Sequence, residues 1–166
     1  LTRACAVALH LAPLGVNVRI VSHSLHVEAM RRLTGCATDY IPAPVWVSEV
    51  VAHVRRLRPA LVVLDSFPWG LRGEWRGVSD LRFVTMARRL CLPAYLEAIG
   101  GPWQPASPTL ARTIVIEPLS AEHDSLLQSS GEVHRLPGRI RFPAKVLLSL
   151  RERSSRTSST LRGPNP

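Results

Sequence analysis

Residues 59–74, PALVVLDSFPWGLRGE, constrain the fold of this chain more than any other stretch. Four apolar residues, Leu61, Val62, Val63 and Leu64, run together and stop at an acid, Asp65. A short β-branched run bounded by turn residues is the pattern of a strand buried on both faces of a parallel sheet. An acid at the carboxyl end of such a strand stands where open α/β sheets bind their ligands. An acid there also serves simply to cap the following turn, and the stretch alone leaves both roles open. Pro68 and Gly70 then mark a tight turn, and Arg72 and Glu74 follow it.

The rest of the chain repeats this grammar. Residues 2–11, TRACAVALHL, are alanine-rich and apolar nearly all round, which predicts a mostly buried helix ended by Pro13 and Gly15. A strand is expected over 16–21 (VNVRIV), a short helix over 26–33 closed by Gly35, and a strand over 37–41. Ser48 reads as the N-cap of a helix with Val50, Val54 and Leu57 on its inner face and His53, Arg55, Arg56 and Arg58 outward. After a polar linker at 76–80, strands are expected at 82–87, 112–117 and 133–136, with helices at 93–99 and 121–128 between them. Helices alternating with short buried strands give an α/β class with a mostly parallel, Rossmann-like sheet. Such domains usually open on a strand, whereas this chain opens on a helix, so the first strand, normally central in the sheet, is expected to be missing. Residues 1–150 form one domain on this reading. The Ser/Thr/Arg-rich residues 151–166 lack apolar periodicity and read as a disordered tail.

The chain begins at Leu1, not Met, and reads as a fragment or a processed chain. No apolar run approaches the ~18–20 residues of a membrane span. The net charge of +9 invites a nucleic-acid partner, but the cations are scattered arginines, with Lys145 the only lysine, and no aromatic-and-basic interleaving accompanies them. An anionic small molecule or lipid phosphate fits the same charge. Cys5, Cys36 and Cys91 are odd in number and widely spaced, which argues against zinc and for a reducing cytoplasm. Cys5 and Cys91 sit among apolar residues and read as small hydrophobes.

No GxGxxG, P-loop, GxSxG or HExxH motif is present. The chemistry-bearing residues stand at strand ends. His23 follows the 16–21 strand, where it can act as a general base or simply face solvent. Arg88 and Arg89 can clamp a phosphate or carboxylate, or form a solvated strand end. Glu117 repeats the strand-end acid, His123 and Asp124 are adjacent, and His10 reads as a packed core histidine. Among Trp46, Trp69, Trp75 and Trp103, those in loops either stack on sugar rings or anchor the loops.

In their order and spacing these segments resemble the N-terminal half of a GT-B glycosyltransferase, and most of all the bacterial relatives of the peptidoglycan UDP-N-acetylglucosamine transferase. LTRACAVALHLAPLGVNVRIVS is similar to the family's opening, entered just after its Gly-His turn, with Arg3 at the family's arginine. LRPALVVLDSFPWGLRGE is similar to the family's strand ending in an acid, here Asp65, although Ala60 replaces the usual acid after the proline. VTMARRL resembles the next strand, and IVIEPLSAEH with RLPGRIRFP resembles the approach to the interdomain linker. The likeness covers residues 1–144. It lacks the Gly-His turn and the C-terminal domain that binds the nucleotide-sugar.

The resemblance implies transfer of a sugar from a nucleotide-sugar donor to an unidentified acceptor, with no cofactor and no obligatory metal. It implies a cytoplasmic protein with peripheral contact at the inner membrane face. Asp65, Arg3 and Arg88 would line the acceptor-side cleft, with Glu74 as a further binding residue, and Asp65 and His23 are the catalytic candidates. The chain alone is expected to be inactive. A non-catalytic α/β binding domain and half of a nucleotide-sugar 2-epimerase are the alternative readings.

Overall fold

A computed structural model describes residues 2–101 and 110–136. They fall into two compact units, residues 2–43 and 44–136. The first unit holds helix α1 (Thr2–Leu11), strand β1 (Arg19–Ser22), helix α2 (Val27–Thr34) and strand β2 (Ala37–Tyr40). The second holds α3 (Trp46–Leu57), β3 (Val62–Asp65), β4 (Phe83–Ala87), α4 (Leu92–Ala98), β5 (Leu110–Val115), α5 (Ala121–Gln128) and β6 (Gly131–Arg135). The class is α/β, with a Rossmann-like parallel sheet flanked by helices.

In the first unit β1 and β2 pair in parallel, Ile20 opposite Thr38. A two-stranded sheet is marginal without a covering layer. Here Cys5 and Ala8 of α1, Ile20 of β1, Met30 of α2 and Cys36 bury one common core. Burial pushes the Cys5 thiol above its ordinary pKa, so it packs as an inert small hydrophobe. Helix α2 ends where expected because Gly35 adopts φ 70°, a conformation that costs glycine nothing, and its N–H donates to Arg31 O. On its exposed face Arg31 and Arg32 both donate to Glu28, which holds that carboxyl at about 2.

In the second unit four strands lie side by side in chain order, β3-β4-β5-β6, all parallel. Each neighbouring pair therefore needs a crossover connection. Helix α4 supplies it between β4 and β5, and α5 between β5 and β6. Between β3 and β4 no helix forms, and the irregular segment 66–82 takes that place. Phe83, Leu110 and Leu127 are completely buried, as are Thr85 and Thr113, which face each other across β4 and β5. The last two carry hydroxyls without a hydrogen-bond partner among the described residues.

Several expectations are corrected. Among the described residues strand β3 pairs with β4 alone, and it is not buried on both faces: Val63 is 43% exposed, and Leu61 just before the strand 44%. Helix α3 begins at Trp46, so Ser48 lies inside its first turn and donates to Val45 O instead of capping. Leu57 is exposed at the end of that helix, past its buried Val50 and Val54. His10 is exposed rather than core, its ring bonded back to Ala6 O at 2.9 Å. Cys91 is exposed at the N-cap of α4. Strands β1, β5 and β6 are shifted by two or three residues from their expected starts, since pairing register, not composition, decides which residues join a ladder. Trp103 and residues 137–166, including the expected tail, lie outside the described residues.

Candidate functional site

Asp65 ends β3, beside Met86 of β4. Ser66, buried and at φ 78°, turns the chain sharply out of the strand while its N–H completes the ladder to Met86 O. A non-glycine residue there is strained and is kept only where its surroundings fix it. Its hydroxyl donates to Asp65 Oδ1 at 3.1 Å.

The surroundings that fix it form a buried latch. Trp69 is fully buried and stacks on Tyr95 of α4, with centroids 6.0 Å apart. The Tyr95 hydroxyl donates to Gly70 O at 2.8 Å and accepts from Trp69 N at 3.3 Å, and burial pushes its pKa up. Glu74 is buried and its carboxylate closes the turn. It accepts from the Trp46 indole at 2.6 Å, Arg72 N at 2.8 Å and Leu71 N at 3.1 Å. Gly70 sits at φ 89° directly against that carboxylate, and a Cβ there would lie 2.3 Å from the Glu74 carboxyl carbon. Arg76 then ties the segment to α4, donating to Ile99 O and to Gly101 O at 2.9 Å. Glu74 is therefore engaged in holding the turn. Trp69 and Trp75 face inward and anchor it, leaving neither as a platform for a sugar ring.

The second feature is an open cleft of about 1180 Å³ at the carboxyl ends of β4, β5 and β6. Arg88 and Arg89 enter from the end of β4, Glu117 from the end of β5, Asp124 from α5 and Arg135 from the end of β6. Glu117 Oε1 accepts from Arg89 N at 2.5 Å and stands 3.7 Å from Arg88 Nε. Asp124 accepts from Arg135 at 2.6 Å and from Gln128 at 2.9 Å. The Arg89 guanidinium has no partner among the described residues. Three guanidinium groups thus meet two carboxylates. The strand-end position of Arg88, Arg89 and Glu117 is legible in the sequence. Asp124 and Arg135 join them only through the β5–α5–β6 crossover.

His123 and Asp124 diverge and form no dyad. Asp124 faces the cleft, whereas His123 is completely buried with neither ring nitrogen hydrogen-bonded among the described residues. Burial lowers the His123 pKa below its ordinary value, with Asp124 opposing weakly. Its backbone N–H still donates to the Ser120 cap that starts α5.

Of the residues singled out from sequence, Asp65 and Arg88 share the carboxyl edge of the four-stranded sheet, and Glu74 lies in the turn after β3. Arg3 on α1 and His23 after β1 belong to the first unit, where both are half-buried and both make interactions. Among the described residues no group of three His, Cys, Asp or Glu side chains could hold a metal ion, and no helix is long and apolar enough to cross a membrane. No protein-family model, curated protein or solved structure matches this chain.

Proposed function

We propose that this chain is the acceptor-side half of a glycosyltransferase that moves a sugar from a nucleotide-sugar donor. One observation carries the reading most. The carboxyl edge of an all-parallel sheet presents an acid, Asp65, one strand away from Arg88, and a buried, hydrogen-bonded turn follows the acid. The order of segments that resembles the GT-B N-terminal half supports it independently. In this reading Asp65 receives the proton of the acceptor hydroxyl, a role suited to a carboxylate held at a strand end. Arg88 faces a negatively charged part of the substrate. The donor is bound by a second domain, and the chain alone turns nothing over.

The test is to read the locus through both ends of the coding segment. The proposal expects one continuous frame running into a glycine-rich nucleotide-binding domain. A frame that closes on this α/β domain alone would overturn it and favour a binding domain. Turnover of UDP-N-acetylglucosamine by the purified chain would also overturn the division of labour proposed here.

A further inference from the structure

We propose that the cleft at the carboxyl ends of β4, β5 and β6 binds a phosphate-bearing ligand, with Arg89 as its anchor and Arg88 and Arg135 flanking it. The inference does not rest on sugar transfer and stands for any role of the domain.

Position is the first argument. Parallel sheets bind ligands beyond the carboxyl ends of their strands, and three adjacent strand ends each deliver a charged side chain to this cleft. Charge is the second. Among the described residues Glu117 and Asp124 offset two of the three arginines, leaving one positive charge over, and Arg89 carries the guanidinium without a partner there. The third argument is the way the acids are used. Asp124 holds Arg135 through a direct hydrogen bond, so that side chain is oriented before any ligand arrives. Glu117 spends its hydrogen bond on the Arg89 backbone and meets Arg88 only at ion-pair distance, 3.7 Å. The hydrogen-bond donors of Arg88 therefore remain open to a ligand. Guanidinium forks match the oxygens of a phosphate in pairs. A group carrying two or more charges also draws on the flanking arginines, which a single carboxylate does not need. The helix dipole contributes little, since the first turn of α5 already carries Glu122 and Asp124. Pro118 and Leu119 give the cleft an apolar wall for the organic part of such a ligand.

The experiment is calorimetric titration of the whole chain with inorganic pyrophosphate at low salt, beside malonate as a dicarboxylate of similar span. Pyrophosphate is expected to bind at least about tenfold more tightly than malonate. Arg89→Ala and Arg135→Ala are each expected to weaken it about tenfold or more, the scale of a lost charge-assisted hydrogen bond. Arg56→Ala, which removes the same charge from exposed α3, is expected to change it less than about twofold. Arg89→Ala removes a guanidinium with no partner among the described residues, so the variant is expected to keep the circular dichroism and melting temperature of the parent. Absence of pyrophosphate binding, equal binding of malonate, or an Arg56→Ala loss as large as that of Arg89→Ala would each overturn the proposal.

Discussion

Replacing Glu74 tests whether the turn after β3 is held by a buried carboxylate. The side chain accepts three N–H bonds, from the Trp46 indole and from the backbones of Leu71 and Arg72. Hydrogen bonds to a charged group contribute about 1.5–3 kcal/mol each, which sets a gross loss of about 4–9 kcal/mol. Leu71 and Arg72 are exposed, so water replaces much of two of the three bonds once the carboxylate is gone. The expected net cost of Glu74→Ala is then about 2–4 kcal/mol, a fall in melting temperature of roughly 5–15 °C for a chain of this size. Glu74→Gln keeps one acceptor oxygen and opposes an NH₂ group to the remaining backbone donor, so its cost falls between parent and alanine, at about 1–2 kcal/mol. Urea unfolding at pH 7 with a common m-value measures both. A Glu74→Ala cost below about 0.5 kcal/mol, or a Gln variant less stable than the Ala variant, would refute the latch. A Gln variant with unchanged stability but lost ligand binding would return Glu74 to the role its sequence position suggested.

Gly70→Ala is expected to cost more than an ordinary turn glycine, because its Cβ meets the Glu74 carboxylate at 2.3 Å as well as needing φ 89°; a melting temperature within about 2 °C of the parent would contradict this. His123→Leu is expected to raise stability by about 1–2 kcal/mol at pH 7, since it removes two buried ring nitrogens that bond to nothing among the described residues, and thermal melts measure it. The pH dependence has a definite sign: the folded-state pKa of His123 is lowered by burial, so its contribution is constant above the unfolded value of about 6.5 and falls as pH drops below it. Urea melts from pH 7.5 to 5 should show that decline in the parent and a shallower one in His123→Leu. The double variant Thr85→Val with Thr113→Val is expected to match or exceed the parent in stability, because both hydroxyls are buried without partners among the described residues, and a loss above about 2 kcal/mol would count against that geometry. Val63→Lys is expected to lower light scattering at high concentration by charging an exposed apolar position on strand β3.

Local chemistry made some elements fully legible and left others hidden. Helix α5 runs from Ala121 to Gln128 as expected, and the structure adds that Ser120 caps it from the adjacent position. The 2–11 helix and the closing glycine of α2 were equally local. The exposure of Val63 was not, since it depends on whether that face of β3 lies against another layer or against solvent. The apolar run looks identical in either position. Glu74 was visible as a polar residue after a strand, but its partner Trp46 lies 28 residues away, and nothing local distinguishes a carboxylate that binds a ligand from one that closes a turn. The same holds for the cleft. Arg88, Arg89 and Glu117 stand at strand ends in the sequence, whereas Arg135 reaches Asp124 only after the α5 crossover brings the end of β6 beside the first turn of that helix. The adjacency of His123 and Asp124 carried little from the start, because neighbours on a helix point about 100° apart and do not face each other.

The claim that ties the fold to its use is that the carboxyl edge of the four-stranded sheet is the edge that binds. Backbone-amide NMR of the isotope-labelled chain during titration with pyrophosphate tests it most directly. Saturable shifts are expected at the amides of Arg88, Arg89, Glu117 and Arg135, with Phe83, Leu110 and Gly131 at the opposite strand ends unmoved. Shifts concentrated at Phe83, Leu110 and Gly131, or spread evenly over the arginine-bearing surface, would contradict it.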